Sequence, residues 1–306
     1  MSARERGVAV VTAILVVAVC ASAATLMLAQ QSAMVDQAML VASRAQADLY
    51  ARAGLDWARG VLMEDARSAD KSDFLGEGWA QPIAALPVER AVVSGAIVDE
   101  QGKFNLNNLV RDNRRSQPDV EVFQRLLQSQ GLSPDLADAV VDWIDTDSDL
   151  SGPGGAEDAY YLSLRKPYRT ANARILQIEE LYRIRGFDAA AVAKLRPLVS
   201  ALPAQTTLNV NTAPAPVLVA MLPQMGQAVQ EHLRVRASKP LRTKEDLARW
   251  TSGKTSTNEM DRLGVGSEYF YVRVQVAQDD VELSTDALIV RAANGTPAIL
   301  WRRPRY

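Results

Sequence analysis

The pattern of apolar and polar positions divides this chain into four stretches. From Val8 to Ala29 there are 22 consecutive residues without a charge, preceded by Arg4 and Arg6, and the next charged residue is Asp36. At about 1.5 Å rise per residue such a run is roughly 33 Å long as a helix, enough to cross a bilayer core. Helix formers continue to about Ala66, with no Pro and no Gly between Val8 and Gly54. Within this part Ala38, Ala42, Ala45, Leu49, Ala53 and Trp57 recur at steps of three or four and predict one apolar stripe of a long amphipathic helix. A helix that continues out of the membrane into a soluble part favours a retained anchor. A secretory signal would have a shorter apolar region and a small-residue cleavage site, for which "CASAA" or "MLA" could serve.

After the helix, residues 68–90 read as a loop rich in turn formers. "AVVSGAIVDEQGKFNLNNL", Ala91 to Leu109, reads as a hairpin with its turn at Asp-Glu-Gln-Gly. From about Pro118 to Leu202 the period is helical. "VEVFQRLLQSQG" ends at a Gly, and "SPDLADAVVDWID" offers Ser133 as N-cap with Pro134 at the first helical position. "ILQIEELYRIRGF" and "DAAAVAKLRPLVSAL" predict two further helices. A second helical unit starts at "TLNVNTAPAPVLVAMLPQM", where Thr212 can cap. "LQIEELYRIRG" at Leu176 and "RTKEDLARWTS" at Arg242 share an acidic-acidic-Leu helix entry, a weak sign that the two units are repeats. From Glu268 the period becomes two. "YFYVRVQVAQDDVELSTDALIVRA" and, after an Asn-Gly turn, "PAILWRR" predict an antiparallel sheet with its apolar face on the soluble half of the first helix. The fold class is therefore α+β: a long N-terminal transmembrane helix packed on an antiparallel sheet, with a large all-helical insertion between strands.

Composition narrows the chemistry. The chain is 306 residues long, with a net charge of −2 and 27 Arg against 7 Lys, so no overall basic surface invites nucleic acid. One cysteine, Cys20 in the apolar run, rules out a disulfide framework within the chain. One histidine, His232, leaves no room for His-rich metal chemistry, and it reads as a solvent-side helix residue. The informative cluster is "DWIDTDSDLSGPGGAEDAYY". Asp145, Asp147 and Asp149 alternate, Asp142 lies one helical turn earlier, and Glu157 and Asp158 follow a Gly/Pro loop. Carboxylates this dense repel one another, and a hard cation with oxygen ligands relieves the repulsion. The spacing is not that of an EF-hand, because counting from Asp145 the sixth position is Leu150 and the twelfth is Ala156. A merely solvated acidic loop is the plain alternative. A paired-carboxylate hydrolase, with Trp143, Tyr160 and Tyr161 as a substrate platform, lacks a second acidic cluster to complete a site.

The N-terminal residues resemble a specific class. A short basic leader ending in Gly7, an immediate apolar helix and a globular continuation resemble a type IV pilin-like precursor. By that resemblance a prepilin peptidase cuts between Gly7 and Val8 and the new N-terminus is methylated. Most such proteins carry Glu at the fifth mature position, which here is Thr12. The K-type minor pseudopilins of type II secretion are the members that lack it, and the resemblance covers nearly the whole chain. A buried carboxylate in lipid is costly unless paired, and a subunit with none above it has no amine to pair with.

The resemblance implies a leader at 1–7 and an N-terminal helix at 8–67, transmembrane over 8–29. It implies a pilin-like domain from 68–110 and 265–306, and helical modules of the SAM or helix-hairpin-helix kind at 111–208 and 209–264. It further implies a single-pass inner-membrane protein with a periplasmic head, no enzymatic activity, I-type and J-type minor pseudopilin partners, and structural calcium. The ligands are then Asp145, Asp147, Asp149 and Glu157, with Asp142 and Asp158 beside them. The competing class is a membrane-anchored DNA-uptake protein, because "LNVNTAPAPVLVAMLP" also resembles a helix-hairpin-helix opening. Here Leu222-Pro223 is followed by Gln224-Met225-Gly226, one hairpin Gly short. Arg234, Arg236, Lys239, Arg242 and Lys244 are offset by Glu231, Glu245 and Asp246.

Overall fold

The computed structural model describes residues 3–68, 70–251, 253–291 and 296–305, without the side chains of residues 3–6, 8 and 9. The expected Asn-Gly turn, Asn294-Gly295, lies outside the described residues. Helix α1, Ala3–Arg67, is continuous over 65 residues, about 100 Å at the usual rise. Its first half is apolar and exposed, with a mean hydropathy of 2.5 in its most apolar window, long enough to cross a membrane. From Ala47 onward one face is buried: Ala47, Ala51, Leu55, Ala58 and Leu62. This is not the stripe expected from sequence. Ala38, Ala42, Ala45, Leu49, Ala53 and Trp57 are all exposed. The two stripes are offset by about two residues, roughly 200° around the helix. The helix is apolar on two sides and its own sheet covers only one. Gly54 permits the contact, since a Cβ there would meet Val274 Cγ1 at 2.8 Å.

Strands β1, Ile83–Val88, and β2, Ala91–Asp99, form the first hairpin. The expected hairpin over 91–109 is thus displaced upstream, into residues read as loop. Glu89 turns the chain with φ 51°, and Pro87 is tolerated because β1 is an edge strand. Trp79, just before β1, is buried edge-on against Phe270 at 5.2 Å.

The chain then leaves the sheet. The first helical module comprises β3, Phe104–Asn105, the short pair β4, Val110–Arg111, and β5, Arg114–Arg115, then α2, Gln117–Ser129, α3, Leu136–Ile144, α4, Asp158–Leu162, α5, Ala189–Leu195, and β6, Val199–Ser200. The second comprises β7, Leu208–Asn209, α6, Ala215–Met221, α7, Gly226–Val235, α8, Lys244–Thr251, α9, Thr257–Met260, and β8, Leu263–Gly264. Helix α3 starts two residues later than its Ser-Pro entry suggested. Thr212 does not cap α6, since its hydroxyl donates to Asp99 Oδ2 at 2.6 Å. The expected helix over "ILQIEELYRIRG" is a 3-10 turn, Ile178–Arg183. His232 is buried, with Nε2 3.2 Å from the Val210 carbonyl and its ring on Trp250.

The two modules repeat each other in their strand pairing and in one asparagine clamp. β3 pairs parallel with β6, and β7 pairs parallel with β8. Asn105 Oδ1 accepts from Asn107 N, and Asn209 Oδ1 accepts from Asn211 N. Asn107 Nδ2 donates to the carbonyls of Ile175 and Leu202 while its Oδ1 accepts from Ile175 N. Asn211 Nδ2 donates to the carbonyls of Leu241 and Val265 while its Oδ1 accepts from Leu241 N. Glu180 then caps the N–H groups of Leu176 and Gln177, as Asp246 caps those of Arg242 and Thr243. From Asn to clamped residue is 68 positions in the first module and 30 in the second. The surplus holds the acidic loop.

Finally β9, Tyr269–Gln278, β10, Val281–Val290, and β11, Ala298–Arg305, complete a five-stranded sheet of order β1-β2-β9-β10-β11, antiparallel throughout. Ile97, Phe270, Val272, Val274, Val276, Leu283, Ala287 and Ile289 face α1 and form a core separate from that of the helical modules. The junction between body and modules is a buried polar knot. Asp99 accepts from Ser267, Thr212, Gln101 N and Asn209. Arg291 binds Asp65 and Asp73 and lies over the Phe270 ring.

Candidate metal centre and anchoring helix

Helix α3 ends at Ile144, and Asp145 leaves it in an extended conformation. The loop that follows folds back along α3, which its glycines make possible. A Cβ on Gly152 would run into Asp138 Oδ2, one on Gly154 into the Asp135 carbonyl, and one on Gly155 into Asp142 Oδ2. In sequence "GPGG" reads only as a turn, and nothing there reveals a close approach to a helix. The fold-back brings carboxylate oxygens of Asp145, Asp147 and Glu157 within 4.8 Å of one another. Asp145 and Glu157 are buried and Asp147 is exposed. Asp142 Oδ1 accepts from Ser151 N at 2.9 Å. Three buried carboxylate oxygens, Asp142 Oδ2, Asp145 Oδ1 and Glu157 Oε1, have no hydrogen-bond donor.

Burial, and secondarily the charges of Asp147 and Asp142, push the Asp145 carboxyl up to about 7. Burial, with Asp142, Asp145 and Asp147 adding to it, pushes Glu157 up to about 7 as well. Asp142 is raised by burial against the opposing bonds from Ser151. A buried carboxylate normally finds a donor or a cation, so this donor set fits a hard cation.

The other expected ligands lie differently. Asp149 offers no oxygen to the convergent group, and its backbone N–H donates to Asp147 Oδ1 at 2.9 Å. Asp158 turns to Thr170, whose N–H and hydroxyl both bond it, and to Arg169. Those Thr170 bonds hold its carboxyl below the ordinary range. Trp143 and Tyr161 are buried and pack edge-on at 5.4 Å, so they form no substrate platform. Among the described residues a second acidic cluster, Asp65, Asp73 and Glu77, also converges, but Arg291 already neutralises Asp65 and Asp73.

At the other end of the molecule Gly7 is exposed within the continuous helix α1, which also carries Val8, and Thr12 lies on an exposed face. In the second module three of the cations considered for phosphate are engaged: Arg234 pairs with Glu231, Arg236 donates to the Ala213 carbonyl and Arg242 pairs with Asp70. Gly226 has φ −39° as the C-cap of a 3-10 turn and begins α7, so it is not a left-handed hairpin glycine.

The elements together define a membrane-anchored, pilin-like protein: one long apolar helix, a five-stranded antiparallel sheet on its soluble half, and a duplicated helical head. Two family profiles, both described as type II secretion system (T2SS), protein K, match residues 102–204 and 208–266. The type II secretion system protein K of Pseudomonas aeruginosa is 34% identical over 310 residues, covering 97% of this chain and 92% of that protein. That of Pectobacterium carotovorum is 31% identical over 319 residues, covering 94% and 93%. In the solved structures, the crystal structure of the GspK-GspI-GspJ complex from the enterotoxigenic Escherichia coli type 2 secretion system contains a chain of the same fold. The TM-score is 0.73 at 24% identity, covering 86% of this chain and 97% of that one. The chain belongs to the type II secretion system protein K family. It is a minor pseudopilin, a structural component and not an enzyme.

Proposed function

We propose that this pseudopilin caps the tip of the pseudopilus, anchored in the bacterial inner membrane with its head in the periplasm, and joins I-type and J-type minor pseudopilins there. The observation that carries the reading is the second apolar side of α1. Leu49 and Trp57 are 62% and 53% exposed on the stripe that the sheet leaves uncovered. Beside it, between α1 and the β1–β2 hairpin, runs a groove of about 440 Å³ lined by Trp57, Ile83, Leu86 and Val88 among others. Apolar patches of this kind are interaction surfaces, and subunits emerging from the same membrane approach along this helix. The duplicated head is bulky, so stacking a further subunit upon it is sterically blocked. Thr12 in place of a glutamate agrees with a subunit that has none above it.

In this reading the leader is removed between Gly7 and Val8 by a prepilin peptidase and the new N-terminus is methylated. Asp145, Asp147 and Glu157 hold a structural calcium ion, with Asp142 as a further oxygen donor, and the ion pins the loop to α3. Co-expression with I-type and J-type partners tests the assembly. Trp57→Glu and Ala53→Arg should abolish co-purification while the isolated protein stays folded. Unchanged co-purification would move the interface elsewhere.

A further inference from the structure

Helix α1 covers one face of the sheet, and the opposite face has its own chemistry. There Tyr271, Leu288 and Trp301 stand in register across β9, β10 and β11, and Arg273, Asp286 and Arg303 form the next row. The first helical module leans over one end of this face, where Leu202 packs with Tyr269 and Leu288. Between the module and the remainder of the face lies a groove of about 580 Å³. Leu176, Glu179 and Arg196 line its module wall, and Trp301, Arg303 and Arg305 its sheet wall.

The charges in this groove do not cancel. Five cationic side chains line it against three carboxylates, in a protein whose net charge is −2. Each carboxylate is already engaged: Glu100 by Lys103 at 2.5 Å, Glu179 by Arg196 at 2.7 Å, and Asp286 by Arg273 through both oxygens. Arg305 shares Asp286 with Arg273. Arg303 donates to Gln177 rather than to an acid and lies over the Trp301 ring at 4.7 Å. Stacking uses the face of a guanidinium and leaves its edge N–H groups for planar acceptors. Beside this surplus charge the groove offers apolar surface at Trp301, Leu202 and Leu288, and Leu176 is 68% exposed at the mouth.

We propose that this groove docks an acidic, extended segment of a protein partner. Its carboxylates would lie on Arg303 and Arg305 and its apolar side chains against Trp301 and Leu176. The mixed lining selects a peptide over a simple anion, because an anion gains nothing from Trp301 or Leu176. The groove faces away from the exposed stripe of α1, so it stays open when that stripe is occupied. The inference does not depend on the tip position or on calcium.

The test is fluorescence anisotropy on the full chain in detergent micelles, with a labelled peptide alternating Asp and Leu as probe. The peptide should bind and weaken with added salt, while its Asn-Leu counterpart and inorganic phosphate should not compete. Arg303→Gln with Arg305→Gln should weaken binding by about tenfold or more, and Arg52→Gln with Arg234→Gln, at exposed sites elsewhere, should not. Leu176→Glu places a like charge at the exposed mouth without disturbing the core and should also abolish binding. Absence of binding to the unmodified protein, equal binding of the Asn-Leu peptide, or binding indifferent to Leu176→Glu would each overturn the proposal.

Discussion

The paired asparagines allow the most quantitative prediction. Replacing Asn107 by Ala removes an amide that is 1% exposed and leaves three buried groups without partners: Ile175 N–H, the Ile175 carbonyl and the Leu202 carbonyl. Each unsatisfied buried group costs about 1–3 kcal/mol. Partial relaxation places the total near the lower end, about 3–5 kcal/mol. Asn211→Ala orphans Leu241 N–H and the Leu241 carbonyl, bonded at 3.0 and 2.8 Å, and loses one long bond of 3.4 Å to Val265. Its cost should be smaller, about 2–4 kcal/mol by the same rule. The clamps lie in separate modules, so the two losses should add. Hydrogen exchange read by mass spectrometry, with guanidinium unfolding of the detergent-solubilised protein, reports both quantities. Asn107→Ala should deprotect the segment around Ile175 and spare that around Leu241, and Asn211→Ala should do the reverse. A loss below about 0.5 kcal/mol from either, or simultaneous deprotection of both segments by one substitution, would refute the reasoning that the modules are clamped separately by equivalent residues.

Three further outcomes follow from the geometry. Calcium should raise the melting temperature, and Asp145→Asn with Asp147→Asn should abolish the rise; at a hundredfold excess over Kd the gain is about 2.7 kcal/mol, or roughly 5–10 °C for a unit of this size. The rise should also depend on pH. Asp145 and Glu157 are raised to about 7, so without metal their contribution to stability is complete below about pH 4 and lost as pH climbs through 7. Calcium, which needs the ionised forms, should therefore stabilise strongly at about pH 8 and hardly at about pH 5. On α1, Leu62→Ala should cost about 2–5 kcal/mol as a buried core truncation. Leu49→Ala, on the exposed stripe, should stay within about 0.5 kcal/mol in the isolated protein and show its effect only when partners are present.

Much of this architecture is legible in the sequence because its signals are periodic and long. The uncharged run from Val8 and the alternation from Tyr269 to Val290 each have a direct physical reading, and the α+β class follows from them. The acidic loop is legible as a cluster but not as a geometry. Asp145, Asp147 and Glu157 converge only because Gly152, Gly154 and Gly155 let the loop lie on α3, a tertiary fact with no local signature. Which stripe of α1 is buried is not legible in the sequence, because both sides of the helix are apolar and periodicity cannot say which side its own sheet takes. The asparagine clamps are hidden in the sequence for a different reason. "NLN" and "NVN" look like turn residues, and their partners lie 68 and 30 positions away. The acidic-acidic-Leu repeat at Leu176 and Arg242 is a visible trace of the duplication.

The membrane-anchored, pilin-like assignment is tested most directly by the N-terminus of the mature protein in the membrane fraction of cells that also make the prepilin peptidase. Mass spectrometry should find a chain beginning at a methylated Val8, and Gly7→Ala should leave the leader in place. A mature chain beginning after Ala24 or Ala29 would make the apolar segment a discarded secretion signal and contradict the account.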